Sequence, residues 1–111
     1  MHELAIADAV VSMALEQAAG RRVSRVGMRI GYLRQVVPSS LRFGFELIAR
    51  DTSAEGAELE IEHIPVRVWC EACGTESQAV ALPLTCAGCG GWDVAVRSGD
   101  EMLVDWIETE G

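Results

Sequence analysis

Hydrophobic residues recur at helical spacing in two stretches of the first half of the chain. From Glu3 to Ala19 an apolar residue returns every three or four positions, which is typical of an amphipathic helix, and Gly20 ends the pattern. Val37-Pro38 favours a second helix start, because proline is well accepted in the first helical turn. The expected buried stripes are Leu4, Ala7, Val11, Ala14 and Ala18 in the first helix and Leu41, Phe45 and Ile48 in the second.

Three other stretches have the pattern of strands. Ser24 to Tyr32 and Ala57 to Ile64 alternate between apolar and polar residues, which predicts strands with one buried face. Met102 to Glu108 is apolar on both sides except at Asp105, so we expect it to be covered on both faces or packed beside the small unit that contains the four cysteines. The first two strands should pair directly, because an arginine row can face an acidic row across them. These rows are Arg25 and Arg29, and Glu58, Glu60 and Glu62.

The order of these elements predicts an α+β fold in which two helices pack on a three-stranded sheet. A domain with four cysteines, in two C-x2-C pairs as in a zinc ribbon, is inserted before the last strand. The expected domains are a discontinuous α/β domain, 1–66 and 99–111, and a metal-binding domain, 67–98. A chain of 111 residues buries only a modest core, which a bound metal commonly supplements.

Charge is distributed unevenly along the chain. The net charge is −8, but residues 1–50 carry seven arginines against four acids and residues 51–111 carry two against thirteen. An acidic metal-binding half is a poor match for a phosphate backbone, so we expect no nucleic-acid partner. No apolar run reaches the roughly 18 residues that span a bilayer, and no signal-peptide pattern is present. We therefore expect a cytoplasmic protein whose thiols stay reduced and that has no membrane partner.

Four cysteines have the spacing of a metal site. The pattern C-x2-C, twelve residues, C-x2-C presents four thiolates to one ion through two tight turns. Each turn has a glycine after its second cysteine, Gly74 and Gly90, where a positive φ is easily adopted. Zinc is favoured over a rubredoxin-like iron centre. Since sulfur fills all four positions, the metal is structural and no enzyme is predicted. The ligands are Cys70, Cys73, Cys86 and Cys89.

Two tryptophans, Trp69 and Trp92, flank these turns. If they are buried they form a small core around the metal, and if they are exposed they are candidate anchors for a protein partner. The bound metal either only holds its own segment in a folded form, or it also shapes a surface to which such a partner binds.

The chain has two histidines, His2 and His63. Around His2 the α-amine, the backbone nitrogen and the imidazole can approach one ion, and such a planar nitrogen set suits Ni(II) or Cu(II). The alternative is a solvated residue at a frayed terminus. Glu3 has the position of a first-turn acid that the helix dipole favours. His63 lies on the apolar face of its strand, so we expect a hydrogen-bonded packing residue rather than a further ligand.

Several motifs give the chain a resemblance to the HypA/HybF family of hydrogenase nickel-incorporation proteins along nearly its whole length. They occur in one order from the first residues to the last strand, and the cysteine pairs lie among them. The motifs are Met1-His2-Glu3-Leu4, Gly31-Tyr32-Leu33, Val37-Pro38-x-x-Leu41-x-Phe43-x-Phe45-Glu46, Glu55-Gly56-Ala57-x-Leu59, Gly99-x-Glu101-Met102-Leu103 and Ile107-Glu108.

The resemblance implies a nickel metallochaperone with a structural zinc domain. It makes His2 the key nickel ligand, Glu3 a contributor partly through its backbone nitrogen, and Met1 a ligand through its α-amine. It implies delivery of Ni(II), together with a maturation GTPase of the HypB type, to the large subunit of [NiFe]-hydrogenase, and in some organisms to urease with its accessory proteins. The second turn has Cys86-Ala87 where Cys-Pro is common, and no histidine adjoins either cysteine pair.

Two other classes compete with this interpretation. One is a zinc-ribbon adaptor that binds protein or RNA and has no nickel role, and the other is a small iron electron carrier. The charge distribution disfavours RNA as a partner. An iron site held by two cysteine turns would not need the larger helix-strand domain around it.

Overall fold

The computed structural model describes residues 2–110. Two α-helices precede most of the strands, and a single 3-10 turn, Tyr32–Arg34, follows the first strand. No described helix has the length and apolar character needed to cross a membrane. The elements are α1 (Glu3–Ala18), β1 (Val23–Gly31), α2 (Pro38–Ala49), β2 (Glu58–Ile64), β3 (Val66–Cys70), β4 (Glu76–Ala79), β5 (Val94–Ser98) and β6 (Met102–Thr109).

The chain forms two compact units. The first consists of Met1–Arg29, Val36–Glu62 and Leu103–Gly111, and the second of Ile30–Gln35 and His63–Met102. The α+β class, with the cysteine cluster inserted before the last strand, is confirmed. The expected boundaries of the two functional domains stay a prediction. They are 1–66 with 99–111 for the α/β domain and 67–98 for the metal-binding domain.

The first unit contains both helices and a sheet of order β2-β1-β6. Helices α1 and α2 approach closely at Gly44, where an added Cβ would lie 3.3 Å from the Ala7 Cβ and 3.5 Å from the Leu4 Cδ1. Its largest fully buried side chains include Phe45, Leu41, Val23 and Val26. The core therefore lies between α2, the inner face of α1 and the central strand.

The buried stripe of α1 is rotated by one residue at its start. Leu4, expected inside, is 57% exposed, whereas Glu3 is only 8% exposed. The other buried positions are Ala7, Val10, Val11, Ala14 and Ala18, and a step of four residues back from Ala7 reaches Glu3. In α2 the stripe ends on Ala49, and Ile48 is only half-buried.

The sheet confirms the pairing of the first two strands, since β1 lies between β2 and β6. Arg25 Nη1 lies 3.2 Å from Glu60 Oε1, and Arg29 Nε lies 3.9 Å from Glu62 Oε1. Of the two alternatives for the third strand, coverage on both faces is wrong, because no residue of β6 is fully buried. The strand lies at one edge of the sheet.

The second unit has a sheet of its own, with the order β4-β3-β5 and antiparallel pairing on both sides of β3. The sequence patterns did not predict these three strands. Val66, Val68 and Ala79 form a small core against which Leu33, Leu84 and Val94 pack. The cysteine turns are thus built on a sheet rather than on loops alone.

Candidate metal centres

The two cysteine pairs lie on turns of the same construction. The Gly74 amide donates to the Cys70 carbonyl at 2.8 Å, and the Gly90 amide donates to the Cys86 carbonyl at 2.8 Å. Both glycines have a positive φ, +69° and +74°, as the sequence predicted. The sharp reversal of the backbone after each second cysteine directs both sulfurs of a pair to one side.

A second backbone hydrogen bond closes each turn. The Cys70 amide donates to the Thr75 carbonyl, and the Cys86 amide donates to the Gly91 carbonyl, both at 2.9 Å. The first turn follows β3 directly, since Cys70 is the last residue of that strand. The first cysteine of each pair is buried, and the second is exposed.

The four sulfurs form a compact cluster. All lie within 4.8 Å of one another, with Cys70 Sγ 3.7 Å from Cys89 Sγ and Cys73 Sγ 3.6 Å from Cys86 Sγ. A tetrahedral ion with metal–sulfur bonds of about 2.3 Å separates its sulfurs by about 3.8 Å. All four cysteines are free thiols rather than disulfides. The cluster therefore fits one tetrahedral ion such as zinc.

The surroundings of the sulfurs favour the thiolate at Cys86 and disfavour it at Cys89. Hydrogen bonds from the Cys89 and Gly88 amides lower the pKa of Cys86 to about 6. The pKa of Cys89 moves the other way, to about 11, because the Gly91 amide that lowers it is outweighed by the nearby sulfurs, Cys70 first among them. Four adjacent sulfurs cannot all carry negative charge unless a cation lies among them, so the opposed shifts agree with a metal site.

Thr75 adds a side-chain contact to this cluster. Its Oγ1 lies 3.0 Å from Cys73 Sγ and 4.0 Å from Cys86 Sγ. A hydroxyl at these distances can donate a hydrogen bond to a metal-bound thiolate. The spacing of the cysteines gave no signal of this residue.

His2 lies at the other end of the chain, in the first unit. It is the N-cap of α1, its carbonyl accepts the Ile6 amide at 3.0 Å, and its side chain is exposed. It lines an open hollow of about 630 Å³ whose other lining residues are Leu4, Ala5, Asp8, Leu47 and Ile48. Met1, the other expected contributor besides Glu3, lies outside the described residues.

Glu3 has a structural contact that the sequence did not predict. Its Oε2 accepts the amide of Val37, the residue that precedes α2, at 3.0 Å. The pKa of Glu3 is lowered from 4.5 to about 2, first by the α-amino group of the chain and then by the Val37 amide. The carboxylate therefore ties the first turn of α1 to the start of α2, and its charged form is strongly favoured.

The remaining candidates lie at the surface or are partly exposed. His63 is exposed, and the structure gives its side chain no hydrogen bond among residues 2–110, so the expectation of a hydrogen-bonded packing residue is wrong. Trp69 is half-buried, with the Arg97 guanidinium 5.4 Å from its ring centre. Trp92 is 72% exposed, which excludes it from a core around the cysteines.

Comparison with known proteins shows the family. The model described as "Hydrogenase/urease nickel incorporation, metallochaperone, hypA" matches residues 1–109. The hydrogenase maturation factor HypA of Geobacter metallireducens is 42% identical over 99% of this chain and 100% of that protein. Its counterpart in Geotalea uraniireducens is 41% identical with the same coverage.

Solved structures agree on the fold. The solution structure of the Ni metallochaperone HypA from Helicobacter pylori aligns with a TM-score of 0.65 and 23% identity, covering 98% of this chain and 97% of that one. A second HypA solution structure aligns with a TM-score of 0.71 and covers 99% and 97%. Together with the match to the family model, these likenesses show that the chain belongs to the HypA family of hydrogenase and urease nickel-incorporation metallochaperones.

Proposed function

We propose that this chain binds Ni(II) at its N-terminus through His2 and delivers it during maturation of [NiFe]-hydrogenase, while its four cysteines hold a structural zinc ion. The observation that carries the proposal is the position of His2, exposed at the N-cap of a helix whose body is packed into the first unit, in a chain of this family.

The proposed nickel ligands are nitrogens of the first residues. They are the His2 imidazole, the backbone nitrogens of His2 and Glu3, and the α-amine of Met1. Planar nitrogen coordination suits Ni(II) better than Zn(II). The first N–H groups of a helix have no acceptor within the helix, so their use by a metal costs no helix hydrogen bond. Metal binding displaces protons from such ligands, which makes the affinity dependent on pH.

The zinc site has a different role. Zinc bound by all four sulfurs would supply folding free energy to the second unit and would leave no open coordination position. The donors around Cys86 and Cys73 stabilise the thiolates that hold it. No catalytic activity is proposed for this chain.

Family membership places the chain with the hydrogenase maturation machinery. More specifically, we propose that its partners are a GTPase of the HypB type and the hydrogenase large subunit, with urease accessory proteins as further partners where urease is present. We also propose that it acts in the cytoplasm.

The test is metal analysis and nickel titration of untagged protein. Wild type should contain one firmly held zinc and bind one Ni(II) more weakly. His2→Ala should abolish nickel binding and keep both the zinc and the helical content. His63→Ala is the matched control, because it removes the other exposed histidine and should change nothing. Unchanged nickel affinity in His2→Ala would refute the assignment.

A second candidate, a zinc-ribbon adaptor without a nickel role, is favoured by one observation. Trp92 is 72% exposed and follows the second cysteine turn directly, which is suited to contact with a protein partner. This alternative predicts no specific Ni(II) binding in the same titration. It also predicts that Cys73→Ser removes the whole function, whereas the metallochaperone proposal predicts that nickel binding survives.

A further inference from the structure

The four sulfurs of the cysteine cluster differ in their access to solvent. Cys73 and Cys89 are exposed, whereas Cys70 is 0% and Cys86 is 2% exposed. Each turn therefore presents one sulfur to small molecules in solution and keeps the other inside. Oxidation of a cysteine depends on its thiolate character and its exposure. Cys73 and Cys89 are thus the sulfurs that a peroxide reaches first.

The short sulfur contacts join one turn to the other. Cys73 Sγ lies 3.6 Å from Cys86 Sγ, and Cys70 Sγ lies 3.7 Å from Cys89 Sγ. In each contact an exposed sulfur touches the buried sulfur of the opposite turn. The buried sulfur can attack the exposed one after its oxidation, as a resolving cysteine does. This geometry favours disulfides across the turns over disulfides inside a C-x2-C pair, which redox-active motifs of that spacing form.

Hydrogen bonds hold the two turns together independently of the sulfurs. The Glu71 amide in the first turn donates to the Asp93 carbonyl, beyond the second turn, at 2.9 Å. The Ala87 amide in the second turn donates to the Ser77 hydroxyl on β4 at 3.2 Å. An oxidised sulfur and its resolving partner therefore stay close together, which makes the reaction within one chain much faster than the reaction between chains.

We propose that the cysteine cluster is an oxidative modification site for hydrogen peroxide, at which disulfides form between Cys73 and Cys86 and between Cys70 and Cys89. The proposal rests on the zinc part of the proposed function, because the loss of four thiolates releases that ion. The two disulfides are nested, since their cysteines are 13 and 19 residues apart and the shorter loop lies inside the longer. They hold the two turns together in place of the metal, so the second unit keeps its sheet.

Each disulfide consumes one molecule of hydrogen peroxide. The exposed thiolate attacks one peroxide oxygen, the O–O bond breaks, and a sulfenic acid forms as hydroxide leaves. The buried thiolate then attacks the sulfenic sulfur, the S–S bond forms, and a second hydroxide leaves. Each hydroxide takes a proton from solvent. Four zinc-bound thiolates, two peroxides and four protons therefore give two disulfides, four waters and one free zinc ion.

The experiment follows zinc and thiols together. Reduced, zinc-loaded protein is treated with two equivalents of hydrogen peroxide, while a chromogenic indicator measures the released zinc and a thiol reagent counts the remaining thiols. Wild type should lose one zinc and four thiols per chain and stay monomolecular in these bonds, without disulfides between chains. Dithiothreitol with added zinc should restore both counts.

Peptide mapping of the oxidised protein gives the connectivity. Cleavage after glutamate separates the two cysteines of the first turn from each other and from a third peptide, which contains both cysteines of the second turn. Disulfides across the turns join all three peptides, whereas disulfides inside the pairs leave the third peptide unlinked. Fragmentation of the joined peptides should place Cys86 with Cys73 and Cys89 with Cys70.

Ser77→Ala tests the contribution of the contacts between the turns, because it removes the acceptor of the Ala87 amide. The sulfenic acid should then persist longer, and its labelling by dimedone should rise about two- to tenfold, the range expected for the loss of one hydrogen bond. Ser98→Ala is the matched control. The Ser98 hydroxyl belongs to the same unit but donates to the Pro65 carbonyl, so labelling should equal that of wild type.

Two results would overturn the proposal. One is a pair of disulfides inside the C-x2-C pairs, and the other is oxidation to sulfinic acid without any disulfide. Wild-type labelling in Ser77→Ala would refute the role of the contacts between the turns. Metal analysis before the addition of peroxide tests the proposed function separately: a chain without zinc would refute the structural zinc, and peptide mapping would still decide the disulfide connectivity.

Discussion

Gly44 links the packing of the two helices to the position of the proposed nickel ligands. Replacement by alanine gains about 1 kcal/mol of helix propensity, but the new Cβ would lie 3.3 Å from the Ala7 Cβ. Ala7 is fully buried, whereas Leu4, the other neighbour, is largely exposed and can turn aside. The two effects oppose each other, so Gly44→Ala should change the free energy of unfolding by less than about 1 kcal/mol.

Gly44→Leu should behave differently. Its additional carbons have no space between the helices, and overpacking of this kind costs about 1–3 kcal/mol. The first turn of α1 must then lift away from α2, which displaces His2 and strains the Glu3–Val37 hydrogen bond. We therefore expect lower stability and a weaker nickel affinity together.

Urea unfolding followed at 222 nm measures the stability, because both α-helices belong to the first unit. Nickel titration of the folded protein measures the affinity. Val26→Ala is the control: Val26 is fully buried on β1, so its truncation should cost stability through a core cavity and leave nickel affinity unchanged. The reasoning fails if Gly44→Leu matches wild type in both measurements, or if Val26→Ala weakens nickel binding as much.

Three further predictions concern single contacts. Thr75→Val should speed the loss of zinc to a chelator, because Cys73 loses its hydroxyl contact, and Thr75→Ser should restore wild-type retention; equal rates in all three would refute the role. Gly99→Ala should destabilise the second unit by more than about 1 kcal/mol in denaturant melts, since φ is +106° and the new Cβ would lie 2.7 Å from Val66 Cα. The charged form of Glu3, whose pKa the α-amino group lowers to about 2, stabilises the fold above its ordinary pKa of 4.5, and this stabilisation is lost as the pH falls through about 2. Glu3→Gln should therefore make the melting temperature change less with pH between 4.5 and about 2. An acid dependence of the melting temperature equal to that of wild type would contradict this.

Local rules predicted much of the fold. The helix bounds followed from the 3.6-residue period, with Gly20 marking the end of α1 and Pro38 the start of α2, and both helices lie where they were expected. The opposite charges of β1 and β2 predicted their pairing, which the Arg25–Glu60 contact confirms. The cysteine turns were predicted in detail, because their geometry depends on four or five consecutive residues.

Nonlocal contacts explain the failures. Periodicity did not distinguish Leu4 from Glu3 as the first buried residue, because the acceptor role of Glu3 depends on an amide 34 residues away. Strands β3, β4 and β5 have only four or five residues each, and the pairing of β3 with β5, such as Val68 with Val96, spans the cysteine segment. One of the two alternatives for β6, coverage on both faces, failed because apolar side chains on a strand can remain partly exposed.

The candidate nickel site shows the same limit. The sequence singled out His2 by its position and by a family resemblance, but it gave no sign of the hollow beside it. That hollow needs Leu47 and Ile48 from α2, more than forty residues along the chain. A surface composed of two helices becomes visible only when their packing is known.

The nickel content of the hydrogenase large subunit tests the central claim most directly. It would be measured in strains whose only copy of this protein is wild type, His2→Ala or His63→Ala, at equal cellular levels and at limiting nickel. We predict a nickel-loaded large subunit with wild type and His63→Ala and an empty one with His2→Ala. Full nickel occupancy in the His2→Ala strain would contradict the account.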